Sequence, residues 1–206
     1  MSAFIIGLDI DGVCFHFERT ARYMLRRRIE DRDGPLAVPW QLKEPSRDWD
    51  WIMNSVPKED WRWLWEDGVK AGLFRYGHVI GGSIEGVQAL NELGDVIAIT
   101  SRPKEAVHDT LVWLSTMFDK APLSGINILS HGQLKSDVRP RPDVFIDDGV
   151  HNVTDVLEHT EARVVLFDQP WNQDYECPEG TWSRCARAVG WRAVVDLVRA
   201  VKAEVW

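Results

Sequence analysis

No apolar run in the 206 residues approaches the roughly 18 that a membrane-spanning helix needs. The opening MSAFIIGLDID lacks both the basic stretch and the long apolar stretch of a secretory leader. Cysteine is scarce and odd in number. Cys14, Cys177 and Cys185 make no CxxC pair, which argues against a disulfide framework and for a reducing, cytoplasmic setting. With 15 glycines and 10 prolines at average usage, collagen-like and low-complexity classes fall away. Basic side chains are outnumbered by acidic ones, 24 to 32, and the net charge of −8 disfavours indiscriminate nucleic-acid binding. The remaining composition, 45% hydrophobic and 27% charged, is that of an ordinary globular protein whose core needs no staples. One excess stands out: 11 tryptophans, six of them between positions 40 and 65.

Short apolar runs alternate with amphipathic stretches, the pattern of a parallel sheet covered by helices. The runs are Phe4–Leu8, Val96–Ile99, Ile126–Leu129, Val144–Ile146 and Val164–Phe167. Each is rich in β-branched or aromatic residues and too short for a buried helix. Between and after them the spacing predicts helices near Ser83–Leu93, Pro103–Met117, Val153–His159 and Trp191–Lys202. The helix from Pro103 has proline at its first position and Ser101 as a prospective cap.

The alternation breaks once. From Phe17 to Gly82 no sheet-like run occurs, a stretch too long for a loop in a compact sheet domain. Arg19 to Arg32 reads as a charged helix ended by Asp33-Gly34-Pro35. A second helix opens at Ser55-Val56-Pro57, with Trp61, Leu64, Trp65 and Val69 at i, i+3, i+4 and i+8. This is the expected signature of a helical cap, residues 17–82, inserted into an α/β core of residues 1–16 and 83–206, with Gly81-Gly82 as a return hinge. The cluster Arg26-Arg27-Arg28 within it is read as a solvated helix face.

Three of the runs end alike. FIIGL leads into Asp9-Ile10-Asp11-Gly12, VIAI into Thr100-Ser101, and VFI into Asp147-Asp148-Gly149. Ligands of open α/β sheets bind outside the carboxyl ends of strands, so these polar groups are expected to converge there. Four carboxylates at one edge repel; at ~4 Å and an effective dielectric near 20 each pair costs on the order of 4 kcal/mol. Such a cluster calls for a cation, and all-oxygen ligands favour Mg²⁺. Carboxylates, hydroxyls and a lysine, Lys135 after the third run, are the equipment of phosphoryl transfer.

The ordered set Asp9-Ile10-Asp11-Gly12, Thr100-Ser101, Lys135 and Asp147-Asp148 resembles the haloacid dehalogenase-like (HAD) phosphohydrolase superfamily, across essentially the whole chain. DIDGVCFHF ending in Phe17, the aromatic-rich cap, the ITS and IDD segments and the tail LFDQPWN resemble the 5′(3′)-deoxyribonucleotidases more closely. The resemblance implies a Rossmann-like parallel sheet with a cap after the first strand. It implies Asp9 as nucleophile and Asp11 as acid/base. Mg²⁺ would be held by Asp9, the Asp11 backbone carbonyl and Asp147, with Asp148 beside them. Thr100, Ser101 and Lys135 would bind phosphate. The segment HGQLKSD is longer than the family's lysine motif, and His131 and Arg139 are the alternatives to Lys135. The other histidines (His16, His78, His108, His151, His159) lack metal-ligand spacing and are read as structural or exposed.

Aromatic faces stack on nucleobases, and the resemblance places Phe17 under the base, with Trp65 and Phe74 as further candidates. Helically spaced tryptophans also build the core of a small cap, the reading given to Trp61. Trp113, Trp171, Trp182, Trp191 and Trp206 are read as packing. Arg102, next to the phosphate pair, is a candidate for reaching phosphate or ribose. The leading expectation is thus a Mg²⁺-dependent phosphatase of a nucleoside monophosphate, a deoxyribonucleotide by resemblance. The alternatives are a sugar-phosphate or polynucleotide-end phosphatase, and a non-catalytic nucleotide-binding module. A small phosphomonoester is the expected partner, a nucleic-acid polymer and a membrane are not, and a homodimer is allowed.

Overall fold

A computed structural model describes residues 3–48, 50–130 and 132–204. The five apolar runs become parallel strands: β1 (Ile5–Leu8), β2 (Asp95–Ser101), β3 (Gly125–Leu129), β4 (Val144–Asp147) and β5 (Arg163–Phe167). A sixth, β6 (Cys185–Ala188), completes a sheet of order β3-β2-β1-β4-β5-β6. Sequence reading missed β6 because Cys-Ala-Arg-Ala carries no apolar run. It lies at an edge, paired among the described residues only with β5 and half-buried along most of its length.

Alternate residues of the central strands serve opposite faces, which is why the runs are continuously apolar. Ile6, Leu8, Val96, Ala98, Val144 and Ile146 pack on one side with α4 (Ser83–Asn91), α5 (Val107–Met117) and α7 (Trp191–Lys202). Ile97, Ile99, Phe145, Val164 and Leu166 pack on the other with α6 (Val150–His159). In α7, Trp191, Val194, Val198 and Val201 form the buried stripe expected of a helix lying on a sheet. The helix expected from Pro103 starts later. Pro103 is extended, Lys104–Ala106 form a 3₁₀ turn, and Ser101 ends β2 without capping α5. Of the tryptophans read as packing, Trp113 and Trp191 are buried, Trp182 is 69% exposed, and Trp206 lies outside the described residues.

Between β1 and α4 the elements are helical: α1 (Phe17–Asp33), α2 (Trp51–Ser55) and α3 (Lys58–Trp63), the last extended by a π-helical turn over Leu64–Gly68. They share an apolar cluster of their own that includes Ala21, Leu25, Leu42, Leu64, Leu73 and Phe74. The two linkers to the sheet are stitched to each other. Phe15 bridges Val79, the His16 N–H donates to His78 O (2.9 Å), and the Ile80 N–H donates to Cys14 O (2.7 Å). Gly77 allows this: a Cβ there would lie 2.1 Å from the Phe15 ring, and its carbonyl accepts from Trp113 Nε1. No helix among the described residues is long and apolar enough to cross a membrane.

The basic cluster divides. Arg27 is mostly exposed, whereas Arg28 turns inward. Its Nε donates to Asp60 Oδ1 at 2.7 Å, and Arg32 donates to both Asp60 oxygens at 2.7 and 3.1 Å. Asp60 is fully buried. Burial alone would raise its carboxyl, but bonds from Arg32 and Arg28 outweigh that and hold it below the ordinary 3.8. A depressed folded-state value stabilises above the unfolded one and ceases to do so as pH falls through it. Asp60→Asn is therefore expected to lower unfolding stability by about 1–3 kcal/mol at pH 7. The gap should narrow as pH falls below the ordinary carboxylate value, as urea titrations at neutral and acid pH would reveal; a pH-independent gap would contradict the ion-pair account.

Candidate active site

β1, β2 and β4 are neighbours, so their carboxyl ends deliver Asp9, Thr100-Ser101 and Asp147-Asp148 to one edge, at the point where the connections diverge to either side of β1. Directly after Asp11 the chain must turn sharply. Gly12 does so at φ +79°, and a Cβ there would lie 2.1 Å from Asp148 Oδ2. Only glycine permits both the left-handed backbone and this approach. The 3₁₀ turn Lys135–Asp137 beyond β3 brings in Lys135. Its ammonium is buried, 2.9 Å from Asp9 Oδ1 and 2.6 Å from Asp147 Oδ2. Asp147 Oδ1 accepts from the Gly149 N–H (2.8 Å) and Asn152 Nδ2 (3.2 Å). Asp148 Oδ2 accepts from Trp171 Nε1 at 2.8 Å, while Asn172 Nδ2 holds the Asp148 carbonyl. The tail segment also reaches the Gly12 turn, where Gln169 Nε2 donates to Gly12 O.

Burial pushes the Asp9 carboxyl up to about 7; Asp147 and Asp11 add to the rise and Lys135 opposes it. Asp148 is raised well above the carboxylate range, by burial first and then by Asp9 and Asp147. For Lys135, burial alone would lower the ammonium, but Asp147 and Asp9 outweigh it and the net shift is upward. One lysine against three buried carboxylates leaves the cluster short of positive charge. Oxygens of Asp9, Asp147 and Asp148 lie within 4.8 Å of one another. Asp148 Oδ1 is buried without a hydrogen-bond partner. An orphaned carboxylate oxygen in an all-oxygen set fits a hard divalent cation. The Asp11 side chain does not belong to this cluster.

Asp11 stands beside it, engaged from behind. Arg102 Nε donates to Oδ2 at 2.8 Å and Nη2 to Oδ1 at 2.7 Å, while the Thr100 hydroxyl is 3.3 Å from Oδ2. Arg102, a candidate for phosphate or ribose, is thus buried against the acid/base candidate. Arg139, the alternative to Lys135, donates to the Ser136 and Val138 carbonyls, and His131 lies outside the described residues.

Two adjoining clefts open above these groups. The smaller, of about 120 Å³, is lined by Asp9, Asp11, Thr100, Ser101 and Lys135 below and by Phe17, Trp65 and Phe74 above. The larger, of about 190 Å³, shares Asp11, Phe17 and Trp65 and adds Trp61, Trp171 and the carboxylates Glu18, Asp48 and Asp50. Phe17 stacks on Trp65 at 5.7 Å and on Phe74 at 5.8 Å. Phe74 is 2% exposed, whereas Trp65 is 37% exposed. Trp61, read as cap core, packs edge-on to Trp65 and lines the larger cleft. Of the sequence-nominated side chains, Asp9, Asp11, Thr100, Ser101, Lys135, Phe17, Trp65 and Phe74 line the smaller cleft and Asp148 the larger, whereas Arg102 and Asp147 line neither. Trp171, read as packing, lines the larger cleft; His151, read as structural or exposed, and Asn152 line the smaller; and Gln169 holds the Gly12 turn. His151 and Asn152 sit in the first turn of α6, directly after the DDG segment, and that adjacency is the signal that pointed to them.

Residues 3–205 match the family described as 5′ nucleotidase, deoxy (pyrimidine), cytosolic type C protein. Two curated 5′(3′)-deoxyribonucleotidases, from Bacillus subtilis (strain 168) and from Bacillus phage SPbeta, are each 27% identical over 124 residues. The matched segment spans 59% of this chain and 63% of the length of either relative. Among solved structures, a haloacid dehalogenase-like hydrolase from Streptococcus pneumoniae aligns with a TM-score of 0.62 at 12% identity, covering 94% of this chain and 97% of that one. A putative HAD hydrolase from Bacillus subtilis, solved bound to magnesium, aligns with a TM-score of 0.59 at 13% identity, covering 97% and 100%. These likenesses show the HAD fold.

The raised Asp9 carboxyl has a measurable consequence in metal-free protein. Between the unfolded value near 3.8 and the folded value near 7, the native state binds more protons than the unfolded state, so stability falls as pH rises. Unfolding free energies in a chelator are expected to decline across this window. Asp9→Asn should flatten the decline, and an unchanged slope in that variant would show that the carboxyl is not buried as described.

Proposed function

The chain belongs to the 5′ nucleotidase, deoxy (pyrimidine), cytosolic type C family, within the HAD hydrolases, and on that premise we propose that it is a phosphatase of nucleoside monophosphates, deoxyribonucleotides among them, acting in the cytoplasm. The observation that carries the reading is the juxtaposition of the Asp9–Lys135–Asp147 cradle with the aromatic cleft of Phe17, Trp65 and Phe74. Residues 17–82 act as the cap over a core of residues 1–16 and 83–206. The carboxylates supply the reacting and proton-transferring groups, and the rings supply a surface for a base.

Asp9 attacks phosphorus in line, the bond to the ester oxygen breaks, and Asp11 gives that oxygen a proton. The product on the protein is an aspartyl-phosphate. Asp11, now a carboxylate, takes a proton from water, whose oxygen attacks phosphorus, releasing inorganic phosphate and restoring Asp9. Thr100 and Ser101 hold phosphoryl oxygens, and Lys135 offsets charge on Asp9 and the transferred group. Asp9, Asp147 and the Asp11 carbonyl, with Asp148 beside them, would hold Mg²⁺. When bound, the ion neutralises phosphoryl charge and aligns the nucleophile.

Hydrolysis of nucleoside 5′- and 3′-monophosphates, sugar phosphates and an aryl phosphate, each with Mg²⁺ or chelator, tests this reading. Nucleotides are expected to exceed sugar phosphates in kcat/KM by roughly 10-fold or more; equal values would remove the reason for assigning the rings to a base. Asp9→Asn should abolish turnover, by at least about 10³-fold, and full Mg²⁺-dependent activity in that variant would end the covalent mechanism. Phe17→Ala should cost nucleotides roughly 10-fold in kcat/KM and the aryl phosphate far less. Comparable losses on both would make Phe17 a packing residue.

A further inference from the structure

Resting on the hydrolytic reading above, we propose that Arg102 is the positioning residue of Asp11, fixing the carboxylate in the one orientation from which it exchanges protons with the ester oxygen. A substrate-binding arginine offers donors or a face to the cleft; Arg102 offers neither. Its side chain is completely buried. Nε and Nη2 grip the two Asp11 oxygens at 2.8 and 2.7 Å, and Nη1 donates to Thr110 Oγ1 at 3.0 Å. The Phe15 and Phe74 rings cover it, with centroids 4.8 and 4.6 Å from the guanidinium carbon. It lines neither cleft, whereas Asp11 lines both.

The two-point fork is what makes this positioning rather than mere pairing. A single donor leaves a carboxylate free to swivel; side-on contact through Nε and Nη2 fixes its plane. The arginine is anchored in turn. Thr110 is held by its bond to Ala106 O at 2.8 Å, on the first turns of α5. Phe15 belongs to the strand-end turn and Phe74 to the helical insertion, where it also stacks on Phe17. The orientation of the acid/base is thereby tied to Phe74, a ring that also lines the smaller cleft. Holding a proton donor in place in advance removes orientational freedom from the barrier, and its loss falls on kcat rather than on binding.

The test is a comparison of leaving groups. Departure of a ribose oxygen needs a proton, whereas p-nitrophenolate leaves without one. Arg102→Lys keeps the charge and loses the fork. It is expected to lower kcat on a nucleoside monophosphate about 30-fold or more with KM changed less than about 3-fold, and to lower the nucleotide-to-aryl ratio of kcat/KM, which reports the step in which the leaving group departs, about 10-fold. Equal losses of kcat/KM on both substrates would overturn the proposal in favour of a structural role. A raised KM at unchanged kcat would overturn it in favour of substrate contact. In an Asp11→Asn background, Arg102→Lys should add no further nucleotide-specific loss, and an independent loss there also overturns it. Should Arg102→Lys fail to fold by circular dichroism, Thr110→Val decides, since it loosens the anchor and leaves all charges in place. A fall of about 3-fold in the ratio is expected, and an unaltered ratio overturns the proposal. Wild-type protein inactive on every phosphomonoester would remove the hydrolytic reading and this inference together; an active wild type with uniform losses removes this inference alone.

Discussion

The site is organised around one buried cation. The Lys135 ammonium sits between Asp9 and Asp147, and without it two buried carboxylates would face each other uncompensated. Removing one partner of such a buried set usually costs several kcal/mol, because the remaining charge stays desolvated. Here the compensation is also incomplete, since Asp148 adds a third carboxyl and keeps an oxygen with no donor. The fold thus tolerates a charge-deficient pocket, held up by β1, β2 and β4, whose apolar runs are buried on both faces. Stability is supplied by the sheet and offset at its edge.

The second constraint is the join between the insertion and the sheet. The linkers pair with each other through Phe15 and Val79, and Trp113 of α5 ties Gly77 to the core. The rings of Phe15, Phe17, Phe74 and Trp65 then run from core to insertion in one contiguous set. Asp60, gripped by Arg28 and Arg32, orders α1 against α3 on the far side of that insertion. The insertion therefore presents a defined aromatic wall rather than a loose flap.

Much of this was legible in one dimension, and the reason is specific. Parallel strands buried on both faces write themselves as apolar runs, against which the polar residues that follow them stand out. Asp9, Asp11, Thr100, Ser101 and Asp147 could be read that way, and Lys135 by its order after the third run. The insertion was legible as an interruption of that alternation. β6 was not, because an edge strand need not be apolar. Trp171 escaped because nothing in its neighbourhood distinguishes a tryptophan that donates to a buried carboxylate from one that fills space. Arg102 stands out by its position beside Thr100-Ser101, but its direction depends on Thr110, Phe15 and Phe74, which come from three separate parts of the chain.

The tail segment carries a consequence for synthesis. Gln169 clasps the Gly12 carbonyl across 157 positions of sequence, and Trp171 and Asn172 secure Asp148 from the same turn. The loop bearing Asp9 and Asp11 is therefore made well before the segment that locks it. Until that later segment emerges, the Gly12 turn and Asp148 lack these three bonds.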